Sequence, residues 1–490
     1  MGVIIRNSFK TTIINYIGVI IGAISLLLIQ TTILTDAQIG EVKLLVDKAV
    51  LVMPFIVVGM SSVASRFFFH FDKDKQSHDS FISMLIAIPF LLFVVVFSMF
   101  YFFNSYFGVS HVVLIGTLLF TYVYLSIFEA YLTTKAKIIF PAVIRNIVFK
   151  VVYLIVLALF YYDIISFRNI LVLFGIMHLL HLLLIVIHFK NNLSFKFNFN
   201  FSFYKHPKFK EIITFCLFMI LGTGSLVLVT KLDTVMLEGI TNNRGFVGVY
   251  TIALSIAAFI DMPRKPLVQL SIPILAKDIA NNEMDKVDVL YKKSALNLMI
   301  IGATLFSLIW INIDFIFSVI PQSETYRTGK YVVFFLGLSK LFDLALGLNG
   351  EVIHNSKYYK WNLVLLPFLA ILTIVLNIYF INKYQSIASA AMATLVSFAI
   401  YNVLRTILVK VKLNLLPFSK QYFYAIPFIF IPFLIECYLI PSEINIWLKM
   451  LIDSSLVVIF FCLPVYFLKI SGDINEIVNT LLRKYLKLKI

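Results

Sequence analysis

The stretch SFISMLIAIPFLLFVVVFSMFYFF, residues 80–103, holds no charged side chain over its whole length. At ~1.5 Å of helical rise per residue it exceeds the ~30 Å of a bilayer's hydrocarbon core. A segment this long and apolar has to satisfy its backbone N–H and C=O groups internally, which in lipid means a helix. Working outward from it, similar runs recur along the chain. Fourteen are read, over residues 8–32, 42–65, 80–103, 111–133, 141–161, 167–189, 211–237, 246–275, 290–318, 328–352, 360–380, 386–409, 421–440 and 447–468.

Composition agrees. Of 490 residues, 61% are hydrophobic, 16% aromatic and only 13% charged, against ~25% charged in soluble domains. The chain therefore reads as all-α, a polytopic integral membrane protein with about 14 transmembrane helices. A net charge of +16 does not point to nucleic acid, because the basic residues recur in short bursts between apolar runs and do not cluster on one solvated face. The opening MGVIIRNSFK lacks a small-residue cleavage pattern after its apolar run and reads as a retained first helix. Arg6 stands where a myristoylation motif needs Ser or Thr. Cys216, Cys437 and Cys462 lie within spans, with no disulfide or zinc spacing.

Placing the N-terminus in the cytoplasm puts 31 of the 41 Lys and Arg residues on inside segments. The positive-inside rule thus orients the chain with N- and C-termini cytoplasmic. No outside loop exceeds about a dozen residues, too short for the external catalytic domain that membrane glycosyltransferases and polymerases usually carry.

The most polar long connection is KNNLSFKFNFNFSFYKHPKFK, residues 190–210. It divides the chain into an N-terminal lobe of spans 1–6 (1–189) and a C-terminal lobe of spans 7–12 (211–409), joined by this basic, aromatic cytoplasmic linker. Spans 13 and 14 (410–468) form an appendage, followed by a basic cytoplasmic tail (469–490). A faint repeat supports two six-helix lobes plus two C-terminal helices. IGEVKLLVDKAVLVMP (39–54) resembles VGVYTIALSIAAFIDMP (247–263), with Gly40 matching Gly248 and Met53-Pro54 matching Met262-Pro263. Internal repeats of this kind are common in transporters.

LDTVMLEGITNNRGFVGVYTIALSIAAFIDMPRKPLVQLSIPILAKDIA (232–280) is similar to the spans 7–8 region of polysaccharide-repeat-unit flippases, the O-antigen-type members of the multidrug/oligosaccharidyl-lipid/polysaccharide exporter superfamily. The matching features are Asp233 followed by Met236-Leu237, Gly248-Val249-Tyr250 opening the next helix and Pro273-Ile274-Leu275-Ala276 closing it. LTDAQIGEVKLL (34–45) and GMSSVASRFFF (59–69) resemble the family's first external turn and the end of its second span. The resemblance implies alternating access, with an undecaprenyl-diphosphate-linked oligosaccharide carried from the cytoplasmic to the periplasmic leaflet of the bacterial inner membrane. It implies O-antigen, capsule or lipopolysaccharide biosynthesis, membrane lipids as surroundings, polysaccharide polymerase and chain-length machinery as partners, and no enzymatic activity or resident cofactor. A diphosphate carries about two negative charges and cannot cross hydrocarbon unaided, so its carrier should hold cations inside.

The intramembrane charges are the candidates. Lys340 falls near the midplane of span 10, where snorkelling is hardest. Asp343, three residues on, shares its helix face and can neutralise it. The pair is either a structural ion pair or a phosphate ligand with its resting counter-charge. Lys231 and Asp233, in span 7, point to nearly opposite faces and cannot pair with each other. Lys231 either snorkels outward or faces a cavity, and Asp233 reads as structural. Arg66, Arg264 and Lys265 stand at the cytoplasmic ends of spans 2 and 8, as positive-inside residues or as the first capture point for a diphosphate. Pro263 and Pro266 interrupt span 8 beside them, and Gly347, Asn349 and Gly350 loosen the end of span 10. Asp47 and Lys48, Asp261 and Glu129 add further charges, and the carboxylates are candidates for coupling to Na⁺ or H⁺. His178 and His181 share a face of span 6 with no metal-ligand partner spaced beside them, which favours interhelical hydrogen bonding.

No GK[ST] phosphate loop, H-E-x-x-H or G-x-S-x-G is present, which disfavours an ATP-driven exporter and a hydrolase. A multidrug exporter of the same superfamily, another lipid-linked precursor flippase and a membrane glycosyltransferase or polymerase stand as the competing readings.

Overall fold

The computed structural model describes residues 2–71, 74–103, 111–192, 196–198, 207–439 and 444–486. Among them there is no strand. Thirteen helices are long and apolar enough to cross a membrane, or up to fourteen when a bent pair is taken as one span. We name the membrane helices α1 (Lys10–Ile33), α2 (Asp36–Phe71), α3 (Lys75–Phe102), α4 (Val112–Thr134), α5 (Ile139–Tyr161), α6 (Phe167–Asn191), α7 (Lys208–Thr241) and α8 (Arg244–Asp261). A helix outside that set, α9 (Arg264–Ala280), follows. Next come α10 (Met284–Ile311), the bent pair α11 (Lys330–Ala345) and α12 (Asn349–Asn355), α13 (Tyr359–Tyr384), α14 (Ala388–Leu413), α15 (Lys420–Leu439) and α16 (Ile446–Phe467). The protein is a multi-pass integral membrane protein, and large apolar side chains such as Val95, Phe102 and Leu270 face outward, 66%, 78% and 74% exposed, as a lipid-facing surface requires.

By contacts the chain forms two compact units, residues 1–248 and 249–490. In the first, α2 packs on α4 and α7, and α4 packs on α6. In the second, α11 packs on α10 and α14, and α13 packs on α14. Most of the 190–210 connection lies outside the described residues.

The helix interruptions follow local chemistry. Thr35 and Gln38 form a capping box at the start of α2, satisfying two otherwise orphaned donors. Within α2, Pro54 removes a ladder hydrogen bond, and the helix breaks just beyond it at Val58 (φ 48°) and Gly59 (φ 72°). Near its end α8 tightens into a 3₁₀ turn at Phe259–Asp261, and Pro263 starts a new helix there. Each Met-Pro pair of the faint repeat thus lies within a few residues of a helix break, four residues before it at Pro54 and at the break itself at Pro263. What reads as one span over 246–275 is α8 followed by a separate α9, because two prolines, 263 and 266, cannot both sit in one unbroken ladder.

The bend between α11 and α12 is 50°. Gly347 sits in it at φ +62°, where a Cβ would lie 2.8 Å from the backbone of Ala295. Among the described residues four spans contain a π-helical turn, at Ser25–Gln30, Ile144–Val148, Ile220–Gly224 and Val458–Cys462. After α16 the basic tail forms an amphipathic helix over Gly472–Leu486; residues 487–490 lie outside the described residues.

Candidate functional site

Two charged clusters occupy the interior, one in each unit. In the first unit α2 presents Lys43, Asp47 and Lys48 to Lys231, Thr234 and Glu238 of α7. Asp47 is fully buried, at 0% exposure. A carboxylate removed from water must find partners for its lone pairs. Lys43 Nζ lies 2.7 Å from Oδ2 and Lys231 Nζ 3.0 Å from Oδ1, while the Thr234 hydroxyl donates to Oδ2 at 2.7 Å. Two ammonium groups share one carboxylate, so the cluster is locally cationic. Lys48 pairs with Glu238 at 3.2 Å. Both of these residues line a cavity of about 510 Å³ whose wall also includes Phe97, Phe100 and Asn242. Near the start of α2, Glu41 holds His111 at 2.8 Å and Arg244 at 3.1 Å.

In the second unit Arg264, the first residue of α9, reaches across to α11 and α12. Its Nη1 donates to Asp343 Oδ2 at 2.8 Å and its Nη2 to Glu351 Oε1 at 3.3 Å. The same unit holds further buried polar atoms with no hydrogen-bond partner among the described residues: Asp261 Oδ1, Glu351 Oε2, Arg405 Nε and both amide atoms of Asn349 and Asn402. Gly350 leaves room for the Arg405 guanidinium, which a Cβ at that position would strike. Unsatisfied groups of this kind mark a polar interior, of the sort that water or a polar ligand fills.

The sequence candidates fall out as follows. Arg264 and Asp343 come together, whereas the expected Lys340–Asp343 pair does not form. A guanidinium presents its N–H donors in a rigid planar fork that spans two carboxylates, and Asp343 turns to Arg264. Lys340 lies over the Phe398 ring, 5.9 Å from its centroid. Lys231 and Asp233 do not pair with each other, as the helical geometry requires. Lys231 turns to Asp47, and Asp233 is buried at 7% exposure. Arg66 is exposed and stacks on Phe215 and Phe67, at 4.7 and 5.6 Å. Lys265 is exposed. His178 bonds across helices to Tyr122 at 3.0 Å, as its spacing suggested. Glu351, Arg405, Lys43 and Thr234 were not singled out from sequence. Of these only Lys43 carried a readable signal, its i,i+4 spacing to Asp47.

These units match known proteins. The overall fold resembles a lipid II flippase, MurJ, in an inward closed conformation, with a TM-score of 0.65 at 17% identity, covering 95% of this chain and 99% of that one. It also resembles an inward-facing multidrug resistance MATE family transporter of the MOP superfamily, with a TM-score of 0.59 at 13% identity over 82% of this chain and 94% of that one. At these identities the likeness is one of fold. No curated protein matches by sequence. The family model described as "Polysaccharide biosynthesis protein" matches residues 4–279, more than half of the chain. By that match the chain belongs to the polysaccharide biosynthesis protein family.

Proposed function

We propose that this protein is a flippase. It would carry an undecaprenyl-diphosphate-linked oligosaccharide, an O-antigen or capsular repeat unit, from the cytoplasmic to the periplasmic leaflet of the bacterial inner membrane by alternating access. In this reading the lobes are 1–189 and 211–409, the linker 190–210 and both termini are cytoplasmic, and polymerase and chain-length machinery take up the product.

The observation that carries it is the state of the buried cations. Arg264 rests on Asp343 and Glu351, and Lys231 shares Asp47 with Lys43. A cation inside a membrane protein needs an anion. Carboxylates supply it when the path is empty, and a diphosphate can take their place, with guanidinium–phosphate hydrogen bonds of the strong, charge-assisted kind. The displaced carboxylates Asp47 and Asp343 can then take up Na⁺ or H⁺, and Asp233 and Asp261 are further candidates for that coupling. Lys340, Arg66 and Lys265 are the further cations that this reading assigns to the diphosphate.

The test is deletion of the gene in its native host, with surface polysaccharide assayed after complementation by wild type, Lys340→Ala, Lys340→Arg and Arg264→Ala. The reading expects polysaccharide to vanish on deletion and return with wild type, to stay low with either alanine variant at equal expression, and to return in part with Lys340→Arg. Polysaccharide unchanged by deletion, with no second copy of the gene, would sink the flippase reading and move the multidrug exporter ahead.

A further inference from the structure

The first unit contains a second cavity, of about 300 Å³. None of its lining residues belongs to the Asp47 cluster or to the larger cavity. Its volume sits at the lower end of the ~300–1,000 Å³ range of small-molecule sites, room for one ring and not for several.

Four helices build it. From α5 come Arg145 and Phe149, presented by the π-helical turn Ile144–Val148; such turns recur at functional positions because they re-aim the side chains around them. Glu129 of α4 forms an ion pair with Arg145. That pair cancels its own charge, yet the half-exposed guanidinium keeps N–H groups to donate. Tyr122 and His178 satisfy each other. His178 Nδ1 bonds the Phe174 carbonyl at 2.8 Å and so must carry the hydrogen, which leaves Nε2 to accept from the Tyr122 hydroxyl.

His181 is different. It is 94% buried, lines the cavity, and its Nε2 has no hydrogen-bond partner among the described residues. A buried polar nitrogen without a partner is costly, and for a residue in the wall of a cavity a bound ligand can supply that partner. The ligand's chemistry is narrowed by the walls. A metal ion is a poor fit, since no group of three or more His, Cys, Asp or Glu converges among the described residues. A free phosphate would meet the Glu129 carboxylate. What remains is a neutral, ring-sized molecule with hydroxyls on its edge and an apolar face to lie on Phe149, Val50 and Met53.

We propose that this cavity binds one pyranose ring of the transported saccharide, its face against Phe149 and its hydroxyls on His181 and the Glu129–Arg145 pair. The identity of the ring as part of the cargo rests on the flippase reading; the binding of a sugar does not. Saturation-transfer-difference NMR on the full chain in nanodiscs, with free hexoses and N-acetylhexosamines as probes, tests it. At least one class should give a signal with wild type. That signal should fall about fivefold or more in Phe149→Ala and His181→Leu, the factor a single lost hydrogen bond or packing face carries. His181→Gln, which can still hydrogen-bond, should recover part of it. Phe149→Leu serves where the alanine variant fails gel filtration. The site is disproved if no sugar signal depends on His181 and Phe149, or if inorganic phosphate abolishes the signal. The gene deletion separates the two readings, since sugar binding can persist when polysaccharide is unaffected, and polysaccharide can depend on the gene when this cavity binds nothing.

Discussion

Gly40 and Gly248 meet backbone to backbone. A Cβ on Gly40 would run into the carbonyl of Arg244, and one on Gly248 into the carbonyl of Asp36. These are the two glycines paired by the faint internal repeat, so the positions that match in sequence also touch in space. Neither obstacle is a flexible side chain, so each backbone would have to shift to admit a methyl group. Overpacking of this kind costs ~1–3 kcal/mol. Gly40→Ala and Gly248→Ala should each lower the thermal unfolding midpoint of the detergent-solubilised protein. The double variant should lose less than the two singles combined, because one separation of the backbones relieves both. A wild-type midpoint in either single variant would show that the approach is not constrained.

Asp47 should matter more than either lysine it holds. Removing one member of a buried ion pair costs ~3–5 kcal/mol, because the other is left buried and uncompensated. Asp47→Asn strands both Lys43 and Lys231 and weakens the Thr234 bond, whereas Lys231→Met leaves Asp47 with Lys43 and Thr234. The expected order of midpoints is wild type, then Lys231→Met, then Asp47→Asn. Lys231→Met falling below Asp47→Asn would mean that the carboxylate is not the centre of this cluster.

The contrast between these clusters shows what sequence could and could not carry. Span positions were legible because each apolar run announces itself without reference to any other part of the chain. The interruption at Pro263 and Pro266 and the bend at Gly347 were legible for the same reason: proline and glycine act on their own backbone. The break beyond Pro54 falls inside the run read as one span over 42–65. Charge partners were not. Arg264 could be read as a topological arginine and Asp343 as the counter-ion of Lys340, since only the fold brings α9 against α11. Asn402 and Arg405 carry no periodic signal at all, and they stand out only when their burial and missing partners are known.

Outside the spans, Asp314 offers a pH-dependent test. Burial alone would raise its pKa, but the hydrogen-bonded Lys330 and Arg327 outweigh that and hold the carboxyl below its ordinary value of 3.8. A depressed carboxylate stabilises the fold fully above its unfolded pKa and loses that contribution as pH falls through the folded one. The gap in midpoint between wild type and Asp314→Asn should stay constant from neutral pH down to about 5 and close only below 3.8. With more than a third of the side chain exposed, the gap should be small, within the ~0–1 kcal/mol of solvent-screened pairs. A gap that closes near pH 6 would assign the effect to another group.

Arg264 fastens the α11–α12 bend from both sides. Asp343 precedes Gly347 and Glu351 follows it, and one guanidinium bonds both. The 50° bend leaves backbone groups near 346–348 outside a regular ladder, so its geometry depends on such ties. Spin labels at Tyr331→Cys and His354→Cys, both exposed, bracket it once Cys216, Cys437 and Cys462 are replaced. The distance distribution between them should be narrow in the otherwise unaltered protein and broad in Arg264→Ala. Arg264→Lys should fall between, since a compact ammonium lacks the planar donor fork that fixes both carboxylates in one geometry. If the arginine served only as a topological charge, lysine would restore the narrow distribution completely. If the bend were fixed by Gly347 and its packing on Ala295 alone, alanine would leave it narrow as well.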